Sequence, residues 1–369
     1  MTTENKNILF EPLQLGEFEL PNRIVMAPMT RGRANHQTHV PTEIMESYYE
    51  QRASAGLIIS EGIIISEIAN GYINIPGIFN SDQVAAWRKI TDRVHQKRGR
   101  IFAQIWHVGY ISHPDLIGGN LPLAPSAINP NFYAYTLEGQ KDTVTPKEMT
   151  IQEIKETIAD FKQAAINAIE AGFDGIELHG ANAYLIHQFI ATSSNQRKDA
   201  YGGSVENRAR FLLEILDEVT LAIGNGKTGL RLNPVANGVA GIVLDEETKA
   251  TFDYIIARLN SYNLAYLHLT GVMDAPADGH TAYEKISSIV SEYRNVYHGI
   301  IIINNGFTKK AAESVIQTGT ADLVAFGLPF IANPDLVERF QDDLELANPD
   351  IDTLYQGSEK GYIDYTIIK

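Results

Sequence analysis

Residues 150–179 read TIQEIKETIADFKQAAINAIEAGFDGIELH. Thr150 opens this stretch as a helix cap. Ile151–Ala171 then repeats its apolar residues three and four apart, and Gly172 stops the helix. Gly175–Leu178 follows as a short apolar run, the mark of a strand buried on both faces. The same unit recurs along the chain. Strand-like runs lie at Ile24–Met29, Leu57–Glu61, Ile101–Ile105, Gly175–Leu178, Gly229–Leu232, Ala265–Leu269, Ile300–Ile303 and Asp322–Phe326. Helical periods lie between and after them, at Glu43–Ala55, Asp82–Lys97, Ile151–Ala171, Val205–Ile223, Glu247–Asn260, Ala282–Tyr297, Lys309–Thr318 and Asp335–Asp342. Ser81, Thr150, Ser204 and Thr308 read as caps, and Gly56, Gly172 and Gly224 as stops. Eight strands alternating with eight helices predict an α/β fold, a (β/α)8 TIM barrel.

Two additions are expected. Phe10–Leu20 reads as a β-hairpin turning near Gly16–Glu17, ahead of the first strand and placed to plug the barrel bottom. Val108–Met149 holds many Pro, Gly and Asn and no sustained period, so a long excursion is expected after strand three, as a cap or binding element. A doubly wound sheet would need a glycine-rich turn after the first strand. Ile24–Met29 instead runs into Thr30-Arg31-Gly32-Arg33. No linker divides the chain, so residues 1–369 are expected to form one domain.

The net charge is −15, which disfavours nucleic acid and anionic membranes as partners. The chain has no cysteine, which excludes disulfides, iron–sulfur clusters, thiolate zinc and a thiol nucleophile. No apolar run approaches the roughly 18 residues of a membrane span, and Met1–Asn7 lacks the apolar core of a signal peptide. A cytoplasmic location is therefore expected.

Barrel chemistry sits past the C-terminal ends of the strands. Those positions hold Pro28, Met29 and Thr30, then Glu61-Gly62, Gln104 with Trp106 and His107, and His179 with Asn182 and Tyr184. Arg231, Asn304-Asn305-Gly306 and Gly327-Leu328 complete the set. No carboxylate pair, Ser-His-Asp set or metal triad is among them, so a cofactor is the simpler source of chemistry. Glycine-bearing turns after strands seven and eight suit a phosphate. Phosphate on a barrel without a metal points to FMN or PLP, and PLP needs a lysine that none of these ends offers.

At several stretches the chain resembles the Old Yellow Enzyme family of FMN-dependent ene-reductases, most nearly the bacterial alkene, N-ethylmaleimide and nitrate-ester reductases. These are Pro21-Asn22-Arg23, Ala27–Arg31, Tyr49-x-Gln51-Arg52-Ala53-Ser54-Ala55-Gly56 running on to Glu61, and Gln104-Ile105-Trp106-His107. Others are His179-Gly180-Ala181-Asn182-Ala183-Tyr184-Leu185, Ser194–Arg197 through Tyr201–Arg208, Phe330–Leu336 and Gly361–Tyr365. The resemblance runs from end to end. It implies a bound FMN, with NADPH or NADH as reductant and electrophilic alkenes as substrates, in a monomer or weak homodimer.

The resemblance places the flavin on Pro28, Met29, Thr30, Gly62, Gln104 and Arg231, with its phosphate on Asn305, Gly306, Gly327 and Leu328. The chemistry agrees: a glutamine amide reads the pyrimidine edge, and an arginine offsets negative charge on the reduced ring. Taken alone, Thr30 would be a turn cap and His179 a satisfied rim histidine. In the family, His179 and Asn182 are the pair that binds the substrate oxygen. Hydride passes from flavin N5 to the β-carbon, and Tyr184 gives a proton to the α-carbon. Tyr72, Trp106 and Tyr355 are expected to line the substrate pocket, and Tyr201–Ser204 to shape a loop and cap a helix.

Leu328 departs from the pattern, because most relatives carry arginine there to pair with the phosphate. Weaker FMN binding is expected unless Lys309 or Lys310 restores the charge. Val235–Leu244 and Gly271–His280 are expected at the pocket mouth. Two other activities are compatible with parts of this set: nitrate-ester or nitroaromatic reduction on the same residues, and a phosphate-binding barrel lyase or aldolase using Glu61. Flavin storage without turnover would leave His179, Asn182 and Tyr184 without a purpose.

Overall fold

Eight short parallel strands close on themselves in a computed structural model that describes residues 7–271 and 281–368. They are β1 (Ile24–Met26), β2 (Leu57–Ile64), β3 (Ile101–Trp106), β4 (Gly175–Gly180), β5 (Thr228–Leu232), β6 (Tyr266–Thr270), β7 (Ile301–Asn304) and β8 (Leu323–Phe326). Each pairs with its chain neighbours and β8 returns to β1. The helices are α1 (Glu43–Glu50), α2 (Ser81–Gln96), α3 (Ile151–Glu170), α4 (Val205–Ile223), α5 (Glu246–Leu259), α6 (Ala282–Arg294), α7 (Lys309–Gln317) and α8 (Leu336–Gln341). No helix among the described residues is long and apolar enough to cross a membrane.

The barrel interior changes character with height. At the bottom, Val25, Ile59, Phe102, Tyr266 and Ile302 pack with Leu15 and Leu20. Those two leucines come from the expected hairpin, whose strands are Leu13–Leu15 and Phe18–Leu20. Its turn needs Gly16, at φ +56°, because a Cβ there would lie 2.8 Å from the Gly226 carbonyl oxygen. Above this apolar plug, Gln104, Glu177, Arg231 and His268 face inward, aligned by register: Gln104 opposite Glu177, and Arg231 opposite His268. A buried aliphatic side chain contributes roughly 1.5–3 kcal/mol. Buried charges at the same depth need polar partners: Glu177 meets Gln104 and His268, and Arg231 donates to Asn304 and Thr270.

Several boundaries differ from the sequence reading for tertiary reasons. Helix α1 ends at Glu50, not Ala55. The turn after it is set by buried Arg52, whose Nε and Nη2 donate to the carbonyls of Phe330 and Ile331. Asn80, not Ser81, caps α2, and Gln83 completes the capping box. Gly56 is no helix stop; it gives room to the Asn22 carbonyl, which a Cβ would meet at 2.2 Å. Two short helices, Leu185–Ile190 and Leu328–Ala332, were not expected, because segments this short and buried show no amphipathic period.

The excursion after β3 holds a hairpin, Tyr133–Thr136 with Gly139–Asp142, and a short ladder of Leu123–Ala124 against Lys147–Glu148. Tyr110, Ile111 and Ala124 from this region pack with Ala183, beside Tyr72 and Tyr184. Ala236, Ala240 and Ile242 of the Val235–Leu244 segment join the same cluster, and Tyr110 donates to the Ala240 carbonyl at 2.8 Å. Residues 272–280 of the other expected mouth segment lie outside the described residues.

Candidate active site

The C-terminal rim gathers His179, Tyr184, Trp106 and Tyr72. The Trp106 indole lies parallel to Tyr72 and to His179, with centroids at 5.6 and 5.8 Å. Tyr184 meets both Trp106 and His179 edge-on, at 4.7 and 4.8 Å. The Tyr72 and Tyr184 hydroxyls are 3.0 Å apart. Burial pushes the Tyr184 phenol well above its ordinary range and Tyr72 up to about 12, so both stay protonated in neutral solution.

His179 is buried on β4, and its Nδ1 accepts from the Ala181 N–H at 3.4 Å. Burial first, then the charge of Arg231, hold its pKa well below the usual histidine range. The ring is therefore neutral with its proton on Nε2. Asn182 and Ala183 both take left-handed backbone angles, φ +56° and +62°. Asparagine tolerates this conformation; alanine holds it only because the surroundings impose it. The Asn182 amide is half-buried and makes no side-chain hydrogen bond among the described residues.

Beneath these groups lies a polar floor. Gln104 Nε2 donates to Glu177 Oε1 at 2.7 Å, and its own Oε1 receives no hydrogen bond among the described residues. Arg231 donates from Nη2 to Asn304 Oδ1 at 3.0 Å and Thr270 Oγ1 at 3.3 Å. Its Nε is buried without an acceptor. Burial opposes the arginine's charge and nearby Glu177 supports it. Gly62 borders Trp106 so closely that a Cβ would lie 2.5 Å from the indole. Pro28, Met29 and Thr30 follow β1, half-buried, and Thr30 caps no helix among the described residues. A buried arginine with an unpaired N–H and an amide with a free acceptor fit a planar ligand that has both donors and acceptors on one edge. The isoalloxazine of FMN has that chemistry.

The β7 and β8 ends hold Asn305, Gly306 and Gly327, half-buried to exposed, while the Leu328 side chain is exposed. Lys309 does not supply a spare cation there, because it pairs with Asp343. Tyr355 is 64 % exposed and makes no ring contact with this cluster among the described residues.

Glu61 is corrected as a strand-end acid. Strand β2 continues to Ile64, and a bulge between Ile59 and Gly62 turns Glu61 away from the interior. Its carboxyl accepts from Tyr49 of α1 at 3.2 Å, which leaves the lyase reading without its acid. The interior carboxyl is Glu177, which the sequence reading passed over together with His268 and Thr270. Alternation along a strand was the available signal, because Glu177 stands two residues before His179 and so shares its face.

Comparison with known proteins shows the family of this chain. Residues 8–347 match the family described as NADH:flavin oxidoreductase / NADH oxidase. The probable flavin mononucleotide-dependent alkene reductase of Leishmania infantum is 39 % identical over 97 % of each chain. The Old Yellow Enzyme homologue from Zymomonas mobilis is 41 % identical, with a TM-score of 0.92 over 98 % of this chain and 99 % of that one. Morphinone reductase in complex with tetrahydroNAD is 42 % identical, with a TM-score of 0.90 over 98 % of each. This chain belongs to the NADH:flavin oxidoreductase / NADH oxidase family, as an Old Yellow Enzyme-type oxidoreductase with FMN as cofactor and NAD(P)H as reductant.

Proposed function

We propose that this enzyme reduces the activated C=C bond of α,β-unsaturated carbonyl or nitro compounds, with residues 1–369 working as one FMN-binding domain. The observation that carries this reading is the His179 ring, whose Nδ1 accepts from the Ala181 N–H, packed edge-on with the Tyr184 phenol at 4.8 Å. A relative that bears the name alkene reductase supports it.

Gln104, Arg231, Thr30 and Gly62, with Pro28 and Met29, hold the flavin ring; Asn305, Gly306 and Gly327 hold its phosphate. When bound, FMN supplies hydride drawn from NAD(P)H. His179 Nε2–H and the Asn182 amide donate to the substrate oxygen, which draws electron density away from the β-carbon. Tyr184 gives its phenolic proton to the α-carbon, and the Tyr72 hydroxyl, 3.0 Å away, returns one and regains its own from solvent. Hydride and proton together saturate the double bond. Trp106 and Tyr72 keep water from the reacting face, and Tyr355 stands at the entrance.

The purified or FMN-reconstituted protein should be yellow, bleach anaerobically with NADH or NADPH, and regain its colour on addition of 2-cyclohexenone. A protein that takes up no FMN at micromolar concentration would sink this reading.

Leu328 should make FMN binding weaker than an arginine there would. A charge-assisted hydrogen bond is worth roughly 1.5–3 kcal/mol, or about 10- to 150-fold in Kd. Position 328 is 57 % exposed, so Leu328→Arg should tighten FMN by about tenfold, the screened end of that range. Fluorescence quenching across a salt series measures this. Unchanged affinity in the variant, with loss in Lys310→Ala, would mean that Lys310 already supplies the charge.

A further inference from the structure

Glu177 takes no part in the steps above, yet it is fully buried in the barrel interior, hydrogen-bonded to Gln104 and near enough to Arg231 to support its charge. Both of its oxygens receive donors. Gln104 Nε2 lies 2.7 Å from Oε1, and His268 Nδ1 lies 2.8 Å from Oε2. These two contacts have a directional consequence. An inverted Gln104 amide would set its own oxygen against a carboxylate oxygen. The amide is therefore held one way round, with Oε1 and its second N–H left for a ligand.

His268 is fully buried, and burial opposes its protonation. A neutral ring that donates from Nδ1 carries a lone pair on Nε2, and that atom has no partner. Arg231 stands opposite His268 in the register, with its buried Nε–H also unpartnered. The arrangement is a carboxylate between an amide and an imidazole, with Arg231 next to that imidazole in the register and its charge supported by Glu177. Tyr266 lies in the apolar layer below, and its hydroxyl is kept protonated by burial and by the charge of Glu177.

We propose that Glu177 is a positioning residue for the cofactor: it locks the Gln104 amide in one orientation and offsets part of the Arg231 charge, and so lowers the reduction potential of bound FMN. This rests on the reading that Gln104 and Arg231 face the flavin. Reduction adds negative charge to the ring, which an unopposed Arg231 would favour. The carboxylate near Arg231 restrains that preference and keeps the reduced cofactor a stronger hydride donor.

The test uses the FMN-loaded enzyme, with its potential measured by equilibration against a reference dye and the Kd of oxidised FMN measured separately. Glu177→Gln removes the charge and turns an N–H toward one of two donors. Reduced FMN should gain on oxidised FMN by about tenfold relative to wild type, which is about 30 mV upward for a two-electron couple. Weakening of both redox states alike, with the potential unmoved, would overturn the proposal, because a purely structural role acts on both.

His268→Gln is the second variant, informative even if Glu177→Gln does not fold. It keeps an N–H donor for the carboxylate and should leave the potential at its wild-type value. A downward shift of about 30 mV or more would show the imidazole to be cationic and the pair neutral overall, and would overturn the proposal. Gln104→Leu and Arg231→Leu separate the two levels. Wild-type FMN affinity in both would refute the underlying flavin assignment. Loss of affinity there, with no change of potential in Glu177→Gln, would refute only the role given to Glu177.

Discussion

Tyr184→Phe should slow reoxidation of the reduced enzyme by 2-cyclohexenone by about 10²- to 10⁴-fold, the usual contribution of a positioned general acid. Bleaching by NAD(P)H should proceed nearly as in wild type, because no proton is delivered to an alkene in that half-reaction. The phenylalanine keeps the edge-on packing against Trp106 and His179 and removes only the hydroxyl 3.0 Å from Tyr72. Stopped-flow traces of the two half-reactions decide the matter. Wild-type reoxidation for every alkene tried would remove the proton-donor role. The pH profile is a second check. Burial holds the Tyr184 phenol well above its ordinary pKa near 10, so the acid form persists through neutral and mildly alkaline solution. Alkene reduction should therefore stay flat from pH 7 to about 10 and fall only as the phenol ionises above that.

His179→Ala should cost about 10²- to 10³-fold in alkene reduction, the loss expected for one donor to a developing oxyanion. The double variant with Asn182→Ala should lose more than the single one, and carbonyl ligands should bind more weakly to it. The effect should fall on the oxidative half-reaction and on kcat/KM for the alkene, with FMN content unchanged. His179→Asn, which retains an N–H donor, should recover part of the rate. Equal rates in the alanine and asparagine variants would mean that shape, not donation, is what His179 contributes. Mild acidification should leave the donor as it is, because burial and Arg231 hold the imidazole neutral to well below its ordinary pKa.

Much of this site was legible because barrels place their chemistry at one end of every strand. The short apolar runs located those ends to within a few residues, and Gln104, His179 and Arg231 could be read straight off them. Glu61 and Glu177 show where such reading fails. Both are acids in apolar strands, and both are buried. Counting from the strand start gives no warning that two residues of β2 stand where β3 has one, so the bulge reverses the face of Glu61. Glu177 lies in regular strand, and its importance emerges only when Gln104 and His268, 73 and 91 residues away in the chain, close on its two oxygens.

The sequence by itself determined the alternation of eight strands with eight helices, the hairpin plug, the excursion after β3 and the residue types at the rim. Those features are encoded locally, in apolar period, caps and glycine stops. The tertiary structure alone decided the protonation of His179, which depends on burial first and then on Arg231 of the neighbouring strand. It also decided the pairing of Lys309 with Asp343 and the exposure of Tyr355. Each of these depends on which groups meet across the closed barrel and on how much water remains between them, and neither is written in any single stretch of chain.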